Sequence, residues 1–207
     1  MALDPQRMAN ASEDDQRAFV VAAVLANPTA KAVLERAHSL DLPDWALMAG
    51  AVYQAVWNVL TGRPADYGVN DYDLAYCDPT DLTAEGEAAF VAKTEAAFAD
   101  LEAEVELCNQ ARVPIWFSAK YGVERKPILS TEDAVKDFAS LTHSVAIRLD
   151  ACGEPELIAP YGLDELFSLT VKPVPNISTP AEWNEKIAAQ RKLWPEINFI
   201  PAPLPEA

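Results

Sequence analysis

Apolar residues recur along this chain in two rhythms, one of about 3.6 residues and one of about two, with turn-forming residues between the segments. Asn10 to Asp15 offers capping side chains ahead of the apolar stretch Phe19 to Leu25. Asn27-Pro28 then stops one helix and starts another, which Pro43 breaks. Trp45 to Met48 is a compact apolar run ending at Gly50, as a buried strand would be, and Ala51 to Leu60 returns to helical spacing until Gly62 and Pro64. Strand, tight turn and helix are expected in that order. Val69 to Tyr76 alternates, which sets Asp71, Asp73 and Ala75 on one face of a second strand and Tyr72, Leu74 and Tyr76 on the other.

Thr83 to Leu101 is rich in Ala and Glu, with Phe90, Phe98 and Leu101 available for an inward stripe, and it predicts the longest helix. Glu104 to Phe117 holds Val105, Leu107, Val113, Ile115, Trp116 and Phe117, the content of a strand, with Pro114 marking an edge, bulge or break. A helix from about Thr131 to Ser140 leads to the strand Val145 to Leu149. Cys152-Gly153-Glu154-Pro155 reverses the chain into Glu156 to Ala159, giving a hairpin. Pro180 to Leu193 predicts one more helix before the Pro-rich stretch Pro195 to Ala207. The sum is an α/β fold: a mixed β-sheet with packed helices, a helical N-terminal lead over 1–43, a core over 44–122 and a C-terminal hairpin plus helix over 123–207. One domain over 1–207 accommodates it.

Composition narrows the choice of function. Thirty-two acidic residues against 16 basic ones give a net charge of -16, which speaks against a surface that grips duplex DNA. The longest apolar stretches, such as Ala18 to Ala26, fall short of the roughly 20 residues a bilayer demands, and Met1 to Asp15 lacks the basic start and apolar middle of a secretory signal. No membrane contact and a cytoplasmic location are expected. Cys77, Cys108 and Cys152 are expected as buried, reduced thiols, and His38 and His143 lack zinc-motif spacing. Neither GxGxxG nor a Walker A loop occurs.

The chemistry concentrates at Asp71-Tyr72-Asp73, because carboxylates at i and i+2 of a strand point the same way and can share a divalent cation with phosphate oxygens. In a chain this acidic the bare pair equally describes a solvated strand edge. Its apolar surroundings favour a site, since two buried like charges without a cation are costly. Glu104-Val105-Glu106-Leu107 supplies a third carboxylate if that strand neighbours the first. Glu106, flanked by apolar residues, is preferred to Glu104, although both also fit a polar strand face. Gly50-Ala51 opens a helix whose free N–H groups and dipole favour a phosphate.

Four segments carry a family resemblance, over about Trp45 to Gly122. They are Ala49-Gly50-Ala51 with Gln54, Trp57 and Asn58; Asp71-Tyr72-Asp73-Leu74 with Tyr76 and Asp78; Asn109-Gln110-Ala111-Arg112-Val113; and Trp116-Phe117. In this order they resemble the bacterial nucleotidyltransferase-like proteins of the polymerase-β superfamily. The resemblance implies the nucleotidyltransferase fold and transfer of a nucleoside monophosphate from an NTP to an unidentified hydroxyl acceptor, with Mg²⁺ or Mn²⁺. It further implies Asp71 and Asp73 as metal ligands, Glu106 or Glu104 as the third carboxylate, and Gly50 near phosphate. Ala51 departs from the second Gly or Ser usual in that turn, and Cys108 and Pro114 are unusual in their segment. The alternative function is a noncatalytic nucleotide-binding or protein-interaction module on the same fold. Asn109, Gln110 and Arg112 suit recognition of a base or phosphates, or equally the satisfaction of backbone groups. Trp57 and Trp116 are expected in the core.

Overall fold

The computed structural model describes residues 5–175 and 177–204. The outermost parts of the expected 1–207 domain, at 1–4 and 205–207, and Asn176 lie outside the described residues, and with them the ends of the acidic N-terminal segment and the Pro-rich stretch. A helical lead comes first: α1 (Pro5–Ala9), α2 (Glu13–Leu25) and α3 (Pro28–His38). Ser12 caps α2 by accepting from the Asp15 N–H at 3.2 Å, and Asn27 caps α3 by accepting from Thr29 and Ala30 at 3.0 and 3.2 Å. The Asn27 amide also donates to the Tyr72 hydroxyl at 3.0 Å, so the cap of α3 is fastened to the sheet.

The sheet and its helices follow as β1 (Ala46–Met48), α4 (Gly50–Thr61), β2 (Asp71–Tyr76), α5 (Ala84–Phe98), β3 (Glu104–Asn109), α6 (Val113–Tyr121), α7 (Thr131–Lys136), β4 (Ala146–Leu149) and β5 (Pro155–Ile158). Spatially the strands run β3-β2-β1-β4-β5. Within this sheet only β2 and β3 pair in parallel, with α5 as their crossover; the other neighbours are antiparallel. One face of the sheet buries Leu47, Tyr72, Leu74, Tyr76 and Ile147 under α2, α3 and α4. The opposite face carries Ala46, Met48, Ala75 and Ala146, and Val135 and Phe138 from α7 and the residues after it pack there. The alternation in β2 thus separates two cores.

Beyond α8 (Asp164–Phe167), the short strands β6 (Thr170–Val171) and β7 (Asn198–Phe199) pair in parallel around α9 (Pro180–Leu193). This C-terminal part is wired into α4, a helix buried on nearly every side. Gln190 donates to the Tyr53 hydroxyl at 3.0 Å, and the Trp194 indole donates to Asn58 Oδ1 at 2.9 Å. The Asn58 amide in turn donates to the carbonyls of Ala65 and Tyr67 at 3.2 and 2.8 Å, closing the connection that leads to β2.

Four sequence expectations need correction. The strand predicted over Glu104 to Phe117 ends at Asn109; Gln110–Arg112 makes one 3₁₀ turn and Val113–Tyr121 is helical. Pro114 sits in the first turn of α6, where its missing N–H has no partner to lose, and Gly122 ends the helix in the left-handed region at φ 67°. Trp57 is fully buried as expected, whereas Trp116 is 46% exposed, because α6 buries only Phe117 deeply. Of the cysteines only Cys77 is buried; Cys108 is half-buried and Cys152 lies exposed in the β4–β5 turn. The helix expected from Thr131 also stops early, at Lys136 rather than Ser140. Among the described residues no single helix is long and apolar enough to cross a membrane.

Candidate functional site

Antiparallel pairing sets Met48 against Asp73, so the turn from β1 into α4 lies beside the beginning of β2. Ala49 holds that turn at φ 58°, ψ -134°, a conformation that an L-residue with a side chain rarely adopts. No side chain caps α4, which leaves its first N–H groups without that competitor for an anion. A Cβ on Gly50 would stand 3.1 Å from Gln54 Nε2, and the Gln54 Oε1 is buried without a hydrogen-bond partner. The amide of Gln54 is therefore folded over Gly50.

Parallel pairing of β2 with β3 sets Asp71 opposite Glu104 and Asp73 opposite Glu106. All four carboxylates belong to the sheet face that carries Ala75 and Cys108 further along. Asp71, Glu104 and Glu106 are exposed and Asp73 is half-buried. Burial pushes the Asp73 carboxyl up to about 6; the charge on Asp71 adds to the shift, the Lys186 ammonium opposes it, and Glu106 contributes least. Burial, then Asp73 and Glu106, raise the Cys108 thiol to about 11. Among the described residues no group of three or more His, Cys, Asp or Glu side chains is gathered closely enough to hold a metal ion. The register brings Glu104 and Glu106 to the aspartate pair as neighbours, without drawing them into one ligand set.

Asn109, Gln110 and Arg112 lie elsewhere. Asn109 pairs with Tyr76, three residues beyond the Asp73–Glu106 pair, or about 10 Å along the strand. Its side chain is fully occupied: Oδ1 accepts from Asp78 and Ala111 N–H at 3.0 and 3.1 Å, and Nδ2 donates to the carbonyls of Asp78 and Asp81 at 3.1 and 3.2 Å. Arg112 is ion-paired with Glu87 and donates to the Leu82 carbonyl at 3.2 Å. These bonds organise the loops at the far end of β2 and β3.

The sequence reading missed the contribution of α9. Lys186 lies within electrostatic reach of Tyr53, Asp73 and Asp71. Behind it, His143 stacks on Tyr53 with ring centroids 4.3 Å apart and touches Trp183 at 5.7 Å. Burial holds the His143 imidazole well below its ordinary pKa, and Nε2 has no hydrogen-bond partner. No motif flags Lys186, since its role depends on where a distant helix docks. A cavity of about 740 Å³ opens between Val123–Ile128, α7, Val174 and Ile177–Thr179. It contains none of the expected site residues, although its wall residue Phe138 also packs against the core containing Met48.

Comparison with known proteins bears on the family and the fold. A family profile described as nucleotidyltransferase matches residues 35–199. The chain belongs to this nucleotidyltransferase family. An NMR structure described as revealing a CCA-adding enzyme head domain aligns with a TM-score of 0.69 at 22% identity, covering 94% of this chain and 100% of its own. That likeness is one of fold. No curated protein matches the chain.

Proposed function

We propose that the Asp71–Asp73 site binds a nucleoside triphosphate together with Mg²⁺ or Mn²⁺ and serves transfer of a nucleoside monophosphate to a hydroxyl acceptor, within a single cytoplasmic domain. One observation carries this reading: two carboxylates share a sheet face beside the uncapped start of α4. The donor set suits such a cation, because carboxylate oxygens are the hard ligands these ions take. Burial first, and then the charge on Asp71, raise the Asp73 carboxyl to about 6, and a bound cation would offset both. Asp71 and Asp73 would hold the ion, with Glu106 as the third ligand; once bound, it would neutralise charge on the phosphates. The Gly50 and Ala51 N–H groups orient a phosphate, and Glu106, or Glu104 in its place, takes the proton from the acceptor hydroxyl as its oxygen bonds the α-phosphorus and the α–β phosphoanhydride breaks to release pyrophosphate. Family membership supports the nucleotide, and the net charge of -16 supports an acceptor other than duplex DNA.

A second reading, a noncatalytic nucleotide-binding or protein-interaction module, is favoured by a specific observation. Three metal ligands are not gathered among the described residues. Calorimetric titration of the four nucleoside triphosphates, with and without Mg²⁺ or Mn²⁺, separates the readings when run on the parent and on Asp71→Asn/Asp73→Asn with mass-spectrometric product analysis. Metal-dependent binding confined to the parent, with a nucleotidylated product, supports transfer. Binding without product supports the second reading, and no binding by any triphosphate removes the nucleotide from both.

A further inference from the structure

An acidic protein that takes up a triphosphate needs a local cation to offset repulsion, and the basic residue expected for that task, Arg112, is committed to Glu87 and to the Leu82 carbonyl beyond the far end of β3. α9 is joined to α4 at Tyr53 and, just past its own end, at Asn58. Its Gln190 bonds the Tyr53 hydroxyl at 3.0 Å, and its Trp183 meets His143, which stacks on that same tyrosine. Lys186 lies between these two contacts, one turn before Gln190. It is exposed, and among the described residues it forms no ion pair within 4 Å. Tyr53 is three residues into the helix that begins at Gly50, so the Gln190 bond and the His143 stack bring this stretch of α9, Lys186 included, to the first turn of α4.

We propose that Lys186 is the polyphosphate-binding cation of this site, delivered by α9 to the open side of Asp71 and Asp73, where it donates to phosphate oxygens of the bound triphosphate. The inference rests on the metal–triphosphate reading above. A divalent cation and an ammonium on the same two aspartates repel each other unless an anion lies between them. A triphosphate provides that anion, and a compact ammonium on a flexible stem suits it. Without ligand, Lys186 offsets part of the aspartate charge; with ligand, the metal takes the aspartates and Lys186 turns to the phosphates.

Inorganic tripolyphosphate with Mg²⁺ is the probe, because it removes the unknown base from the problem. Titrations compare the full-length parent with Lys186→Met, which keeps the apolar stem, with Lys186→Arg, with Asp73→Asn, and with Lys192→Ala as an equal change of charge on the same helix. Loss of one charge-assisted contact weakens binding about tenfold to a hundredfold in Lys186→Met, while Lys186→Arg stays within about threefold and Lys192→Ala is unchanged. Parent-like binding by Lys186→Met, alongside loss in Asp73→Asn, would overturn the role of Lys186 and leave the carboxylate site standing. Equal weakening in Lys186→Met and Lys192→Ala would overturn it as a general charge effect. A parent that binds no tripolyphosphate overturns this proposal together with the reading on which it rests.

Discussion

Replacing Asp73 by Asn removes a carboxylate that the fold holds at a cost. Its pKa is raised from 3.8 to about 6 by burial first and by Asp71 second. At about 1.4 kcal/mol per pKa unit, the charged form is disfavoured in the folded state by about 3 kcal/mol; partial exposure of Asp73 to solvent reduces this to about 1.5 kcal/mol. Because the folded carboxyl holds its proton more tightly than the unfolded one, the penalty is complete above about pH 6, shrinks as the pH falls, and is gone below 3.8. Asp73→Asn should therefore be more stable than the parent at about pH 8, by roughly 3–6 °C in melting temperature, with about half that difference remaining near pH 5. Differential scanning calorimetry in EDTA tests this, kept above the sequence pI of about 4.4. With Mg²⁺ and a triphosphate at about a hundredfold excess over Kd, the order should reverse, since only the parent gains about 2.7 kcal/mol. If Asp73→Asn proves less stable than the metal-free parent, or the difference grows towards acid, the reasoning fails. Such a result would mean that Lys186 already compensates Asp73 fully.

Ala49→Gly should stabilise the protein by about 1 kcal/mol, because glycine relieves the φ 58° turn by more than it adds to unfolded-chain entropy; urea unfolding reads the change. His143, buried with a lowered pKa, has the opposite pH sign to Asp73: the unfolded state binds its proton more readily, so stability is lost as the pH falls below about 6.5, by up to about 1.4 kcal/mol per pH unit. His143→Gln should flatten that acid slope in a series of thermal melts. Arg112→Gln should lower the melting temperature by a few degrees through loss of the Glu87 pair, while nucleoside triphosphate affinity, followed by calorimetry, stays within about twofold.

Much of the fold and part of the site can be read from the chain, because the relevant signals are local. Alternation across Asp71–Tyr76 separates aromatic from acidic positions, and the two faces of β2 do serve different cores. The neighbouring of Glu104 and Glu106 with the aspartates required only that two strands on either side of a long helix be adjacent, the usual outcome of a β-α-β connection. The segment Val113–Phe117 misled for an equally local reason. A short run of aromatic and β-branched residues carries no period long enough to separate strand from helix, and Pro114 starts a helix as readily as it ends a strand. Asn109 reads as a donor and acceptor awaiting a base until the loop that consumes all its bonds is known. Lys186 resembles any exposed helix lysine; its setting comes from the docking of Gln190 and Trp194, which no neighbouring residue announces.

The wiring of Tyr53 and Asn58 to Gln190 and Trp194 also bears on how the protein is made. Synthesis runs from the N-terminus, so α4 and the strands beside it leave the ribosome well before α9 does. Until then two buried polar groups at the centre of the core lack partners, and the acidic sheet end lacks its lysine. A nascent chain stalled before Gln190 would hold every carboxylate of the site and yet remain an unsealed core, a substrate for chaperones rather than a binder of nucleotides.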